Sequence, residues 1–149
     1  MRKRTQGRES ALKVMYQKEM TGEQADEALR HFFESQPKMD KEMRAFIEKI
    51  VVGVQESSAS LDKRVETVAE NWSMKRMAVL DRNILRMAVY EMTEMTETPV
   101  KVVINEAVNL AKKYSGENSG KFVNGIHDKL MHGNHSDSAL KAQPPILPA

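Results

Sequence analysis

The side chains with the clearest chemical capacity are cations. Arg2, Lys3, Arg4 and Arg8 crowd the start of the 149-residue chain, and Lys112, Lys113, Lys121 and Lys129 recur toward its end. Within residues 1–20, six basic side chains stand against two acidic ones, Glu9 and Glu19, a net of +4 that the whole-chain value of +2 conceals. Phe122 and Asn124 lie among the later set, a planar ring and an amide that both donates and accepts. Unpaired RNA requires this combination, because phosphates attract cations while splayed bases stack on rings and pair with polar edges. Each feature also has a plainer reading. A basic N-terminus can be a solvated end, Lys112 and Lys113 suit the negative end of a helix dipole, and Phe122 can be one more core residue.

Other chemistry finds little footing. There is no phosphate-cradling glycine loop, zinc-protease helix motif or nucleophile elbow, and the carboxylates form no recognisable pair, so neither a catalytic residue nor a cofactor is assigned. His127, His132 and His135 form the sole histidine cluster, and the last two fall in a tail expected to be disordered, so no metal site is expected. Cysteine is absent, which excludes disulfides and thiolate ligands and suits a reducing cytoplasm. The opening Met-Arg-Lys-Arg leads into Thr, Gln, Gly, Arg and Glu rather than an apolar core, unlike a secretory signal, and no run reaches membrane-spanning length.

The elements that must position these residues read as helices throughout. Residues 2 to about 20 predict a helix with Leu12, Met15 and Tyr16 inward and a frayed basic start. Thr21 and Gln24 have capping-box spacing ahead of a second helix that ends before Pro37. Asp40 is expected to cap a third, in which Met43, Phe46, Ile47, Ile50, Val51 and Val54 share one face. Ser57, Ser58 and Ser60 suggest a kink or short turn before Leu61, Val65, Val68, Ala69 and Trp72 resume the spacing. From Ser73 to about Glu94 the apolar residues cover more than one face, which marks a central helix with a polar stripe at Arg82 and Arg86, read as ion pairs or a partner contact. Thr98 and Pro99 open a helix carrying Val100, Val103, Ile104, Ala107, Leu110, Ala111 and Tyr114 on one face. Gly116 to Gly120 should end it, which puts Phe122 in the first turn of the last helix, where free N–H groups favour phosphate. Residues 132–149 show no periodicity and three prolines.

The particular letters carry a resemblance. INEAVNLAKKYSGENSGKFVNG resembles the C-terminal signature of the NusB family of transcription antitermination factors. Arg8 and Glu9 leading into Val14-Met15-Tyr16-Gln17, Asp40 ahead of Val51-Val52-Gly53-Val54, and Asp81-Arg82-Asn83-Ile84-Leu85-Arg86 with Tyr90-Glu91 match in the same order. The resemblance implies an all-α bundle of about seven helices in two packed sub-bundles, here a single domain over residues 1–131 with a tail over 132–149. It also implies a non-enzymatic, cytoplasmic protein that binds boxA RNA together with the ribosomal protein NusE, within the RNA polymerase antitermination complex on ribosomal RNA operons. Carried over by position, RNA contacts fall to Arg2, Lys3, Arg4, Arg8, Lys121, Phe122 and Asn124, and the NusE-facing surface to Tyr16 and Asp81.

Three positions depart from the family pattern. Asp81 replaces a common Glu, Ile126-His127 replaces two aliphatic residues, and Thr5-Gln6-Gly7 interrupts the basic lead-in, so the first helix is expected to start late. Two other readings stand beside the adaptor: an accessory domain working with an RNA-modifying enzyme, and a homodimeric helical scaffold. The chain's 149 residues and the lack of a catalytic domain favour the adaptor.

Overall fold

A computed structural model describes residues 2–69 and 74–131, apart from the side chains of Arg2, Leu130 and Met131. The expected features at Trp72 and in the tail from His132 onward lie outside the described residues. Within them are six α-helices and a 3-10 turn: α1 (Arg2–Thr21), α2 (Ala25–Glu34), α3 (Lys41–Val68), the turn Met74–Arg76, α4 (Val79–Glu94), α5 (Val100–Tyr114) and α6 (Glu117–Met131). The described residues contain no strand, in keeping with the all-α expectation of about seven helices. None of their helices is long and apolar enough to cross a membrane.

The chain divides into two compact units, Met1–Ser57 and Ser58–Ala149. The division falls inside α3, at the serines expected to interrupt it, yet no turn breaks the helix there. Serine's helix propensity is only a few tenths of a kcal/mol below that of good formers, a deficit that buried neighbours such as Val54 and Leu61 easily outweigh.

In the first unit, Ala11, Leu12, Val14 and Met15 of α1, Ala25, Ala28 and Leu29 of α2, and Phe46, Ile47, Ile50, Val51 and Val54 of α3 are buried. Each fully buried aliphatic side chain among them contributes roughly 1.5–3 kcal/mol. The Thr5-Gln6-Gly7 segment does not delay α1, which is helical from Arg2. Gly7 is present for closeness instead: a Cβ there would lie 2.6 Å from Cδ2 of Phe46 and 3.1 Å from the Met43 sulfur. Tyr16, expected inward, is 42% exposed.

Gly22, at φ +79, ends α1, and its N–H donates to the Lys18 carbonyl. Thr21 is spent on this end, donating to the Gln17 carbonyl, so it does not cap α2. The N-cap of α2 is Gln24 without a side-chain bond, and the open N–H of Ala25 donates instead to Oε1 of Gln55, 2.9 Å away on α3. Asp40 caps α3 as expected, accepting from the Met43 N–H at 2.8 Å.

In the second unit α4 is central, with eight buried residues, and packs against both α5 and α6. Arg86 of α4 forms a two-pronged ion pair with Asp62 of α3, at 2.6 and 2.8 Å, and also donates to Asn83. Arg82 donates to the carbonyls of Met74 and Met77, holding the 3-10 turn against α4. The polar stripe is therefore engaged within its own unit. Gly116, at φ +118, turns the chain between α5 and α6, which pack closely on each other. Pro99, one residue later than Thr98, serves as the N-cap of α5.

Candidate nucleic-acid interface

The start of α1 presents three cations in different states. Lys3 is 57% exposed, and its ammonium lies 2.8 Å from Oδ2 of Asp40 and 3.8 Å from Oε1 of Glu42. The Asp40 hydrogen bond, then its charge, raises the Lys3 pKa, and the Lys3 ammonium, followed by the Met43 N–H, holds the Asp40 carboxyl below its ordinary range. Arg4 is exposed, with its guanidinium 4.6 Å from the centroid of the Phe46 ring. Arg8, one turn on, lies 5.5 Å from the same ring and is only 3% exposed.

Since α1 places residues four apart on one face, both arginines meet one aromatic, and Phe46 sets where the outer one stands. The resemblance puts Arg8 among the RNA contacts; in the structure its side chain is buried beside the Phe46 ring and not exposed like that of Arg4. The side chain of Arg2 lies outside the described residues.

The second unit carries Lys121 and Asn124, both exposed, three residues apart on α6, with Phe122 half-buried beside them. Phe122 is not in the first turn. α6 begins at Glu117, and the Gly120 N–H already donates to the Gly116 carbonyl at 3.1 Å, so Phe122 stands in the second turn. Gly120 is required by closeness, because a Cβ there would meet Cγ of Lys112 at 2.6 Å. Lys112 and Lys113 are exposed in the last turn of α5, whereas Lys129 is buried and leaves the cation set. Glu117 and Asp128 are also exposed on α6, so its outer surface is mixed in sign.

Of the two residues assigned to a partner-facing surface, Tyr16 is exposed and Asp81 is not. Tyr16 and Met20, four residues apart on α1 at 42% and 54% exposure, form an apolar pair at the surface. Asp81 has no exposure and accepts from the Ser119 hydroxyl at 3.2 Å. Burial raises its pKa, opposed by hydrogen bonds from Ser115 and Ser119. The shorter carboxylate thus ties α4 to α6 through Ser119, and its other oxygen, Oδ1, is buried without a hydrogen-bond partner.

His127 is fully buried, neither ring nitrogen has a hydrogen-bond partner, and burial lowers its pKa to about 4. It is a neutral core residue. Among the described residues no group of three or more metal-ligating side chains comes together.

Two residues that organise the cations escaped the sequence reading. Asp40 reads from sequence as a cap and nothing more, and Phe46 as one apolar position among six. The single hint was Gly7, a poor helix former inside a helical run, which signals a close neighbour.

The chain is similar to known proteins along most of its length. The profile described as the NusB family matches residues 5–132. The transcription antitermination protein NusB of Anaeromyxobacter dehalogenans (strain 2CP-1) is 45% identical over 131 residues, covering 88% of this chain and 92% of its own. The crystallised NusB of T. maritima is similar at a TM-score of 0.81 and 32% identity, over 93% of this chain and 96% of that one. A chain from a crystal structure of antitermination factors NusB and NusE in complex with double-stranded RNA is similar at a TM-score of 0.80 and 28% identity, over 89% and 98% respectively.

Proposed function

The chain belongs to the NusB family, and from that premise we propose that it is a transcription antitermination factor, a non-enzymatic cytoplasmic adaptor. It binds boxA RNA together with the ribosomal protein NusE and supports processive transcription of ribosomal RNA operons. The observation that carries this reading is the pair of exposed cations in the first turn of α1, Lys3 held at the surface by Asp40 and Arg4 braced on the Phe46 ring. Bracing matters because a guanidinium held in place loses little side-chain freedom on meeting a phosphate. Lys121, Asn124 and the partly open Phe122 supply a second set of contacts on the other unit, and the outer end of Tyr16 meets NusE. The solved relative that holds both NusE and RNA supports the same partners.

Titration of a boxA-like single strand, a scrambled strand and a duplex, with and without NusE, tests the reading. Replacing Lys3 and Arg4 together with Ala should weaken binding to all RNAs and flatten the dependence of log affinity on log salt by about 0.7 per lost phosphate contact. An affinity for the boxA-like strand equal to that for the scrambled one, with NusE present, would overturn it.

A further inference from the structure

An open cleft of about 510 Å³ lies between the first turn of α1 and the connection from α2 to α3, entirely within the first unit. Its size falls in the roughly 300–1,000 Å³ range of small-ligand sites. Lys3 and Lys38 line it with two ammonium groups against the one carboxylate of Asp40. Gln6 adds an amide that can donate and accept, and Met39 and Met43 add polarisable, adaptable surface. Cation, hydrogen-bonding edge and soft apolar floor are what one nucleotide needs for its phosphate, base edge and base face. An acidic peptide would use the lysines and leave the methionines and the amide without a purpose.

We infer that this cleft takes one nucleotide of the bound RNA strand, and that Asp40 occupies its phosphate position in the free protein by holding Lys3 until a phosphate replaces it. The inference rests on the RNA-binding reading and adds to it a subsite and a built-in competitor. Asp40 suits that role because one of its oxygens, Oδ1, is committed to the Met43 N–H while Oδ2 meets the lysine. The carboxylate therefore stays fixed as the cap of α3 when Lys3 leaves. Both ion-pair partners are more than half exposed, so exchange of one anion for another needs no opening of the core. Glu42, 3.8 Å from the ammonium, adds a weaker attraction of the same kind.

Asp40→Asn separates the two duties, because asparagine caps a helix as well as aspartate does but cannot pair with an ammonium. In fluorescence titrations with a short single-stranded RNA, Asp40→Asn should bind about two- to five-fold tighter, the range of an exposed ion pair. The gain should vanish when Lys3→Ala is also present. Glu48→Gln, an equal charge change on an exposed α3 position outside the cleft, should give a smaller gain that persists with Lys3→Ala. Thermal melting verifies that α3 is intact, and the Met39 and Met43 methyl resonances of the wild-type chain should shift on RNA addition. RNA binding by the wild type with no gain from Asp40→Asn, a gain that survives Lys3→Ala, or methyl resonances that stay put would overturn the subsite and leave the RNA reading standing. A gain seen for an acidic peptide and not for RNA would replace the ligand class. Loss of RNA binding in every form of the protein, with NusE present, would overturn both.

Discussion

His127 fixes an acid limit on the stability of the second unit. Its imidazole is neutral in the folded chain, with a pKa of about 4, and charges near 6.5 when exposed. Between those values the unfolded chain binds more protons than the folded one, so stability present above about pH 6.5 is lost as the pH falls toward 4. The loss approaches about 3 kcal/mol once both forms are protonated. Asp81 works the other way, because a carboxyl whose folded pKa is raised costs stability while ionised and sheds that cost as the pH falls. His127→Leu should remove the histidine contribution and both unpaired nitrogens. The expected outcome is a melting temperature that falls less between pH 7 and pH 5 than that of the wild type, and an equal fall in both would refute it. None of this was legible in the sequence. His127 stood out only as a departure from two aliphatic residues, and whether such a ring is sealed depends on neighbours from other helices.

Elements were far more legible than their ends. The apolar spacing from Met43 to Val54 and from Val103 to Ala111 located α3 and α5 because burial on one face imposes a helical period. The starts of α1 and α6 differ from the sequence expectation for a shared reason: glycine and serine suggest breaks, while tertiary contacts employ them inside helices. Gly7 and Gly120 admit Phe46 and Lys112 closely, and the Ser119 hydroxyl serves Asp81. Gly7→Ala tests this trade. In an isolated helix the change stabilises by about 1 kcal/mol, but here the new methyl meets Phe46, and overpacking of that kind costs about 1–3 kcal/mol. The expected result is a net loss of thermal stability with weaker RNA binding, because the displaced ring no longer braces Arg4. An unchanged or raised melting temperature would show that Phe46 moves aside freely.

At the scale of the whole molecule, family and fold class were readable from the order of a few motifs, whereas the state of each cation was not. Four basic residues at one terminus look alike in sequence; the fold buries Arg8, braces Arg4 and pairs Lys3 with Asp40. Arg4 and the exposed apolar pair Tyr16 and Met20 share α1, so the proposed RNA and protein contacts fall on one helix at different turns. Tyr16→Ala should therefore reduce NusE affinity by about 2 kcal/mol or more if the ring anchors the interface, while leaving the affinity of the chain alone for RNA within error. Isothermal titration with each partner separately distinguishes this from a general loss of folding, which would weaken both.

The bond from Ala25 to Gln55 sets an order of events during synthesis. Ten residues are too few for a helix to persist in water unaided, and the N-terminal turn of α2 borrows its acceptor from a side chain thirty positions downstream. A nascent chain has α1 ready for α2 to pack on, but the first N–H of α2 finds its acceptor only once the middle of α3 has followed.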